Sequence, residues 1–357
     1  MAPYSKATLV EPSQETFGVN GRAYRGSVDP EWVVVRVPHG GAQFSLYRTV
    51  CLEETDTRLL TSGYILGLLV EAAIHYQSAT SQRDPIHVAA HYLRPSVAGP
   101  FQIHIRVIKS GKGFTNLAAD FFQKNTLKVT THMIFSRISP APGEKALLIL
   151  QPPSHYARRI PLHSHPSEVL KQNIGARWVF REHLEMAMEA EIHARNKPDH
   201  PNRTNSATIG GGGVEWGSWL GFAEKGERIT STAIAFLVDM FSNLPTLLPR
   251  SERQGLVDSW FPTVTLSIEF KAPIPPPSEY HASRTVGLYS TGKFMNHPQG
   301  RHEAYVEVWT APTNIGEGKP VDGWRDKQVC LAIATQMALV IPFDEAGKRA
   351  DREVARL

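Results

Sequence analysis

The segments 63-GYILGLLVEAAIHYQ-77 and 86-IHVAAHYLRP-95 stand in succession, a long apolar helical stretch and then a strand closed by Arg94-Pro95. Two alternating segments follow, 101-FQIHIRVIKSGKGFTNLAADFFQ-123 and 126-TLKVTTHMIFSR-137. With a turn at Ser110-Gly111-Lys112-Gly113, they predict an antiparallel meander. The same order recurs downstream. A helical stretch, 232-TAIAFLVDMFSNLPTLL-248, precedes the strand 263-TVTLSIEFKAP-273, which Ala272-Pro273 closes as Arg94-Pro95 closes the first. Strands are then expected over 280–294, 300–311 and 327–339, with two more candidates ahead of the second helix, over 183–195 and 214–224. Repetition at this scale predicts one unit used twice: an α+β chain in which each half wraps a central helix in an antiparallel sheet. The expected domains are 1–155 and 156–357.

The halves are separated by 138–166, rich in Pro and His, which reads as a linker, and 197–213 reads as a mobile loop. The four glycines at 210–213 lack the Lys-Ser/Thr of a phosphate loop. With 357 residues there is chain enough for two domains. A hydrophobic fraction of 41% and a charged fraction of 20% are ordinary for a globular protein. No apolar run reaches the roughly 18 residues of a membrane span, and the N-terminus lacks the apolar core of a secretory signal. The two cysteines, Cys51 and Cys330, read as free thiols in a reducing compartment. A net charge of +4 without a basic stripe argues against nucleic acid and is compatible with an anionic ligand such as a coenzyme A ester.

Two residues break otherwise apolar elements. Asp239 lies in the second helical stretch and Gln336 in the last strand, 329-VCLAIATQMALV-340. Burying an unpaired carboxylate costs several kcal/mol, and an unpartnered amide roughly 1–3 kcal/mol. Both need partners or a purpose.

These segments together resemble the double-hotdog acyl-CoA thioesterases, a group that includes bacterial acyl-CoA thioesterase II and its fungal and peroxisomal relatives. The stretches 36-RVPHGG-41 and 63-GYILGLL-69 are similar to the family's PxGGY entry into the first helix, and 90-AHYLRP-95 to its FLRP strand. In the second half, 235-AFLVDM-240, 263-TVTLSIEFKAP-273 and 329-VCLAIATQMALV-340 are similar to the YxSD helix, the TIDHSxWFHRP strand and the final LVASTVQEGV strand. The resemblance implies two tandem hotdog domains and an acyl-CoA or acyl-carrier thioester as substrate; no cofactor or metal is expected. It also implies a water-activating set of Asp239, Thr263 and Gln336, and helix-entry N–H groups at Gly63 and Tyr64 facing a developing oxyanion.

One departure is the stretch 42–62, which intervenes between the glycine turn and the helix. Internal superposition of 67–75 on 235–243 and of 130–135 on 334–339 suggests a second polar pair, Glu71 and His132. His75, His87 and His91 have no metal-ligand spacing. Thioester hydrolysis is the leading expectation. The alternatives are a hotdog acyltransferase, dehydratase or cyclase of a fungal-type secondary-metabolite pathway, or an acyl-binding protein without activity. Further association of copies through sheet edges or faces is expected. The terminal Ala355-Arg356-Leu357 fits a peroxisomal address; the alternative is a cytoplasmic protein.

Overall fold

The structure is a computed structural model that describes residues 2–15, 20–37, 57–140, 143, 148–175, 178–203, 205–206, 210–253, 256–257 and 259–342. The first half contributes strand β1 (Gly21–Val28), helix α1 (Ser62–Gln77) and strands β2 (Asp84–Tyr92), β3 (Gly99–Ser110), β4 (Thr115–Gln123) and β5 (Thr126–Ser136). The second contributes β6 (Leu184–Met188), β7 (Val214–Phe222), helix α2 (Ser231–Leu237), β8 (Thr263–Phe270), β9 (Thr285–Gly292), β10 (Arg301–Thr310) and β11 (Cys330–Ala338).

The first half orders its strands β1-β3-β4-β5-β2, and the second orders them β7-β9-β10-β11-β8, with β6 outside β7. This is one topology used twice. The halves join into a single 13-stranded sheet where β2 pairs antiparallel with β8, Ala89 opposite Ser267. The chain is α+β and consists of two tandem hotdog domains, as the repeat predicts.

Helix α1 is buried because almost nothing on it is polar: Gly63 through Val70 are all buried. Its start is fixed by Thr61, whose hydroxyl accepts the Tyr64 N–H at 3.0 Å. Thr230 caps α2 in the same way through the Ala233 N–H. The two helices pack on each other inside the sheet, with Leu66, Leu69, Phe236 and Leu237 in one continuous core with Val88, Ile103, Leu266 and Val306.

Several expectations need correction. The helix expected over 232–248 ends at Leu237. Its last turn tightens into i−3 bonds, Asp239 N–H to Phe236 O at 3.1 Å and Met240 N–H to Leu237 O at 3.0 Å, so Asp239 stands just past the helix end. Leu244–Leu247 forms its own short turn with Pro245 near its start. The strand expected over 183–195 is β6 followed by a short helix, Ala190–Ala194.

The linker is not free-running where it is described. Ile160 and Leu162 are fully buried in a second core with Trp219, Trp309 and Ile315, on the face of the C-terminal sheet turned away from α1 and α2. In the 42–62 stretch, Thr57–Leu60 pairs antiparallel with Val33–Val37. The glycine turn at 38–41, residues 42–56 and the terminal tripeptide lie outside the described residues.

Candidate active site

The inside end of α2, the start of α1 and the β8–β11 pair converge on Asp239. Gln336 faces inward from β11 and is buried. Its Nε2 donates to Asp239 Oδ1 at 2.5 Å and to Thr263 Oγ1 at 2.9 Å. One amide nitrogen thus spends both its protons tying a carboxylate from the helix end to a hydroxyl from β8. Thr263 sits where the β8–β11 register shifts, between Thr263 and Thr265; such a bulge re-aims a side chain at the end of a strand. It is half-buried, and its hydroxyl, having accepted from Gln336, still has a proton to donate.

The other carboxylate oxygen faces the first half. The Gly63 N–H donates to Asp239 Oδ2 at 2.8 Å, and the Ser62 backbone adds a weaker hydrogen bond. The N-terminus of α1 therefore points its unpaired donors and its positive dipole end at the carboxylate. Only glycine permits this approach, because a Cβ at residue 63 would lie 2.7 Å from both Asp239 Cβ and the Phe236 carbonyl oxygen. The Tyr92 hydroxyl donates to Ser62 O at 2.8 Å and holds this first turn in place. Burial, and secondarily the nearby Asp239 charge, push the Tyr92 hydroxyl well up from its ordinary range.

Burial also pushes the Asp239 carboxyl up to about 6, against the hydrogen bonds from Gly63, Gln336 and Ser62, which pull it down. Among the described residues no cation figures among its partners: backbone and amide dipoles hold the carboxylate, basic enough to take a proton near neutral pH and ionised enough to be ready for it.

The structure thus brings Asp239, Thr263 and Gln336 together from elements 24 and 73 residues apart. The helix-entry pair behaves differently from expectation. The Gly63 N–H faces Asp239, and the Tyr64 N–H is taken by Thr61. The Tyr64 ring is fully buried, its hydroxyl donating to Ala7 O at 2.7 Å. Tyr64 is a core residue.

Glu71 and His132 are not brought together. Glu71 Oε2 accepts from the Thr232 hydroxyl at 2.6 Å, on the first turn of α2. His132 is exposed, opposite Ala89. Pro95 and Pro273 close equivalent strands, and both register shifts match, Pro85/His87 with Thr263/Thr265. In that register Gln336, beside Leu266, corresponds to Met133, beside Val88. The internal superposition was one residue out, and a slip of one turns every side chain to the other face of the sheet. Tyr92 and Ser62 were not anticipated; the signal was a tyrosine, with its polar tip, where the family strand has the phenylalanine of FLRP.

Two family models match the chain. The acyl-CoA thioesterase N-terminal domain covers residues 28–138, and the acyl-CoA thioesterase C-terminal domain covers 172–315. Asp239 and Thr263 lie within the second match, and Gln336 beyond its end. Among solved structures, a putative thioesterase II from Thermobifida fusca YX is similar over 95% of this chain and 97% of its own, at 18% identity and a TM-score of 0.58. A protein of unknown function with a hot dog fold from Alicyclobacillus acidocaldarius is similar over 95% and 98%, at 15% identity and a TM-score of 0.57. The tesB protein of Mycobacterium avium subs paratuberculosis covers the same shares at 11% identity and a TM-score of 0.54. At these identities the likeness is one of fold. No curated protein matches by sequence.

Proposed function

This chain belongs to the acyl-CoA thioesterase family, and from that premise we propose that it hydrolyses acyl thioesters with a water held and deprotonated by Asp239, Gln336 and Thr263. The observation that carries this reading is the single amide, Gln336 Nε2, bonded at once to Asp239 Oδ1 and Thr263 Oγ1.

A water within reach of Asp239 and Thr263 attacks the thioester carbonyl carbon as Asp239 takes its proton. The carbonyl π electrons move onto oxygen. When the tetrahedral intermediate collapses, the C–S bond breaks, the sulfur leaves as thiolate, and the proton on Asp239 passes to it. Acid and thiol are released. A positioned general base contributes typically about 10²–10⁴-fold. Gln336 and Thr263 fix the direction from which the water attacks.

The Gly63 N–H has a second part in this scheme. While Asp239 is ionised, the start of α1 faces a carboxylate. When Asp239 is protonated, the negative charge moves onto the substrate oxygen, and the same N–H and helix dipole are released to meet it. The net charge of the site does not change through the step, so a buried pocket can carry it without a cation.

Thiol release from a panel of acyl-CoA esters tests this reading. Turnover is expected for at least one chain length, with one equivalent of thiol for each equivalent of acid. No release from any member of the panel would overturn it.

A further inference from the structure

The hydrolytic scheme leaves one buried titratable group beside the site unused. His302 lies on β10, where exposed Arg301 and half-buried Glu303 alternate with buried His302, Ala304 and Val306. It therefore faces inward, on the same side of the sheet as Gln336. The register places it close. Ala304 pairs with Gln336, and Thr263 and His302 both pair with Ala338, from the two sides of β11. Thr263, Ala338 and His302 thus form one row across three strands, roughly 9–10 Å between its outer Cα atoms. Its middle position carries only a methyl, and so does Ala304 beside Gln336.

The imidazole is 3% exposed, and its hydrogen bonding fixes its tautomer. Nδ1 lies 2.8 Å from Gly300 O. A carbonyl oxygen only accepts, so Nδ1 carries the proton and Nε2, across the ring, is a bare acceptor. Burial, against the Gly300 carbonyl and the Glu303 charge, holds the imidazole below its ordinary range and so neutral at pH 7. Nε2 is buried and has no hydrogen-bond partner among the described residues. A buried acceptor left so costs its full desolvation, and it calls for a donor. The Phe261 ring packs edge-to-face on the imidazole, 6.0 Å between centroids, and offers none on that side.

The attacking water has the complementary need. Its two protons require two acceptors and its oxygen one donor, with the last lone pair kept for the carbonyl carbon. Asp239 is one acceptor, and the Thr263 hydroxyl is the donor. Gln336 Nε2 has spent both its protons on those two residues. Resting on the hydrolytic reading above, we infer that His302 Nε2 is the second acceptor. The water lies over Ala338, between Thr263 and His302, and His302 fixes the direction of its free lone pair. Asp239 takes one proton as the oxygen attacks. The other stays on that oxygen, passes with it into the tetrahedral intermediate and leaves in the acid, so His302 is not protonated in the step.

The test combines a crystal structure of the wild-type protein, at a resolution that orders water, with steady-state thiol release in His302→Phe, His302→Gln, Asp239→Asn and Asp239→Asn/His302→Phe. Phenylalanine keeps a ring and removes the acceptor; glutamine brings an amide oxygen to about the reach of Nε2. One ordered water is expected within about 3.2 Å of His302 Nε2, of Asp239 and of the Thr263 hydroxyl. His302→Phe should lower kcat about 10-fold with KM within about 2-fold, and His302→Gln should recover part of the loss. The double variant should fall little below Asp239→Asn alone, because both changes act on one water.

Full kcat in His302→Phe would overturn the inference. So would a water held by Gln336 Oε1 in place of His302 Nε2, or a loss in His302→Phe that multiplies with that of Asp239→Asn. If His302→Phe does not fold, the water in the wild-type structure decides alone. If wild type shows that water but cleaves no thioester, the hydrolytic reading fails and the His302 water site stands. If wild type cleaves thioesters and the water does not touch His302, the hydrolytic reading stands and His302 has no part in it.

Discussion

Matched strand by strand, the two halves put Gln336 and Thr263 of one against Met133 and Pro85 of the other, and the superposition of 67–75 on 235–243 sets Asp239 against Glu71. Met133 is fully buried and offers no hydrogen bond. Pro85 has neither a hydroxyl nor an N–H. Glu71 keeps a carboxylate, but it faces the hydroxyl of Thr232 rather than a strand amide. The first half also carries a plug at the equivalent place: Tyr4 packs over Gly67, its ring stacked on Phe222 and Phe236 and its hydroxyl bonded to Thr232 O at 3.0 Å. Duplication preserved the fold in both copies and the polar set in one. The two copies still build that one site together, because the carboxylate comes from the second half and the helix N-terminus that holds it comes from the first.

The largest effect expected from this asymmetry is in turnover. Asp239→Asn keeps the shape and removes the base, so kcat for acyl-CoA hydrolysis should fall about 10²-fold or more. Glu71→Gln should stay within about 3-fold. Gln336→Ala should cost less than Asp239→Asn, and the double variant should be far from additive, because residues serving one water act as a unit. Steady-state thiol release checks all four. A larger loss for Glu71→Gln than for Asp239→Asn would reverse the assignment of the halves.

A smaller effect separates the two glycines at which the helices touch. A methyl at Gly63 collides with Asp239 and the α2 backbone, and one at Gly67 collides with the Tyr4 hydroxyl. Both Gly63→Ala and Gly67→Ala should cost roughly 1–3 kcal/mol of stability through overpacking. Only Gly63→Ala should also lower kcat, by about 10-fold, and urea unfolding beside kinetics distinguishes them. Equal turnover in the two variants would mean that the start of α1 does not govern Asp239.

A third effect is on stability against pH. Asp239 holds its proton more tightly folded than unfolded, so its ionisation works against the fold. The stability it contributes is fully present below pH about 4 and is lost as pH rises through about 6. The loss is on the order of 3 kcal/mol for a shift of this size. Denaturant midpoints between pH 4 and 7 should show this fall in wild type and in Glu71→Gln, and a flatter profile in Asp239→Asn. A fall that persists in Asp239→Asn would assign it to other groups.

Much of the fold could be read from the chain because periodicity reports burial directly: α1 is apolar nearly all round, and β3, β4, β5 and β8 alternate. What could not be read was decided by tertiary contact. Strand β1, 21-GRAYRGSV-28, has too little alternation to announce itself, and it forms because β3 offers a partner along its whole length. The end of α2 at Leu237 follows from the turn toward α1, to which local propensity is blind. Asp239 and Gln336 stood out as polar breaks in apolar runs, whereas Thr263, Tyr92 and Ser62 are ordinary strand and helix-start residues whose roles depend on tertiary register. The His132 error has the same origin, since repeat matching by composition cannot distinguish a register from its neighbour one residue away.

The pH dependence of kcat/KM for an acyl-CoA ester, in wild type, Asp239→Asn and Glu71→Gln, tests the central claim most directly. Wild type and Glu71→Gln should share an ascending limb with an apparent pKa near 6, falling below that pH as Asp239 is protonated, and Asp239→Asn should lose the limb together with most of the rate. A limb that survives unchanged in Asp239→Asn, or that disappears only in Glu71→Gln, would contradict the claim that the second half supplies the base.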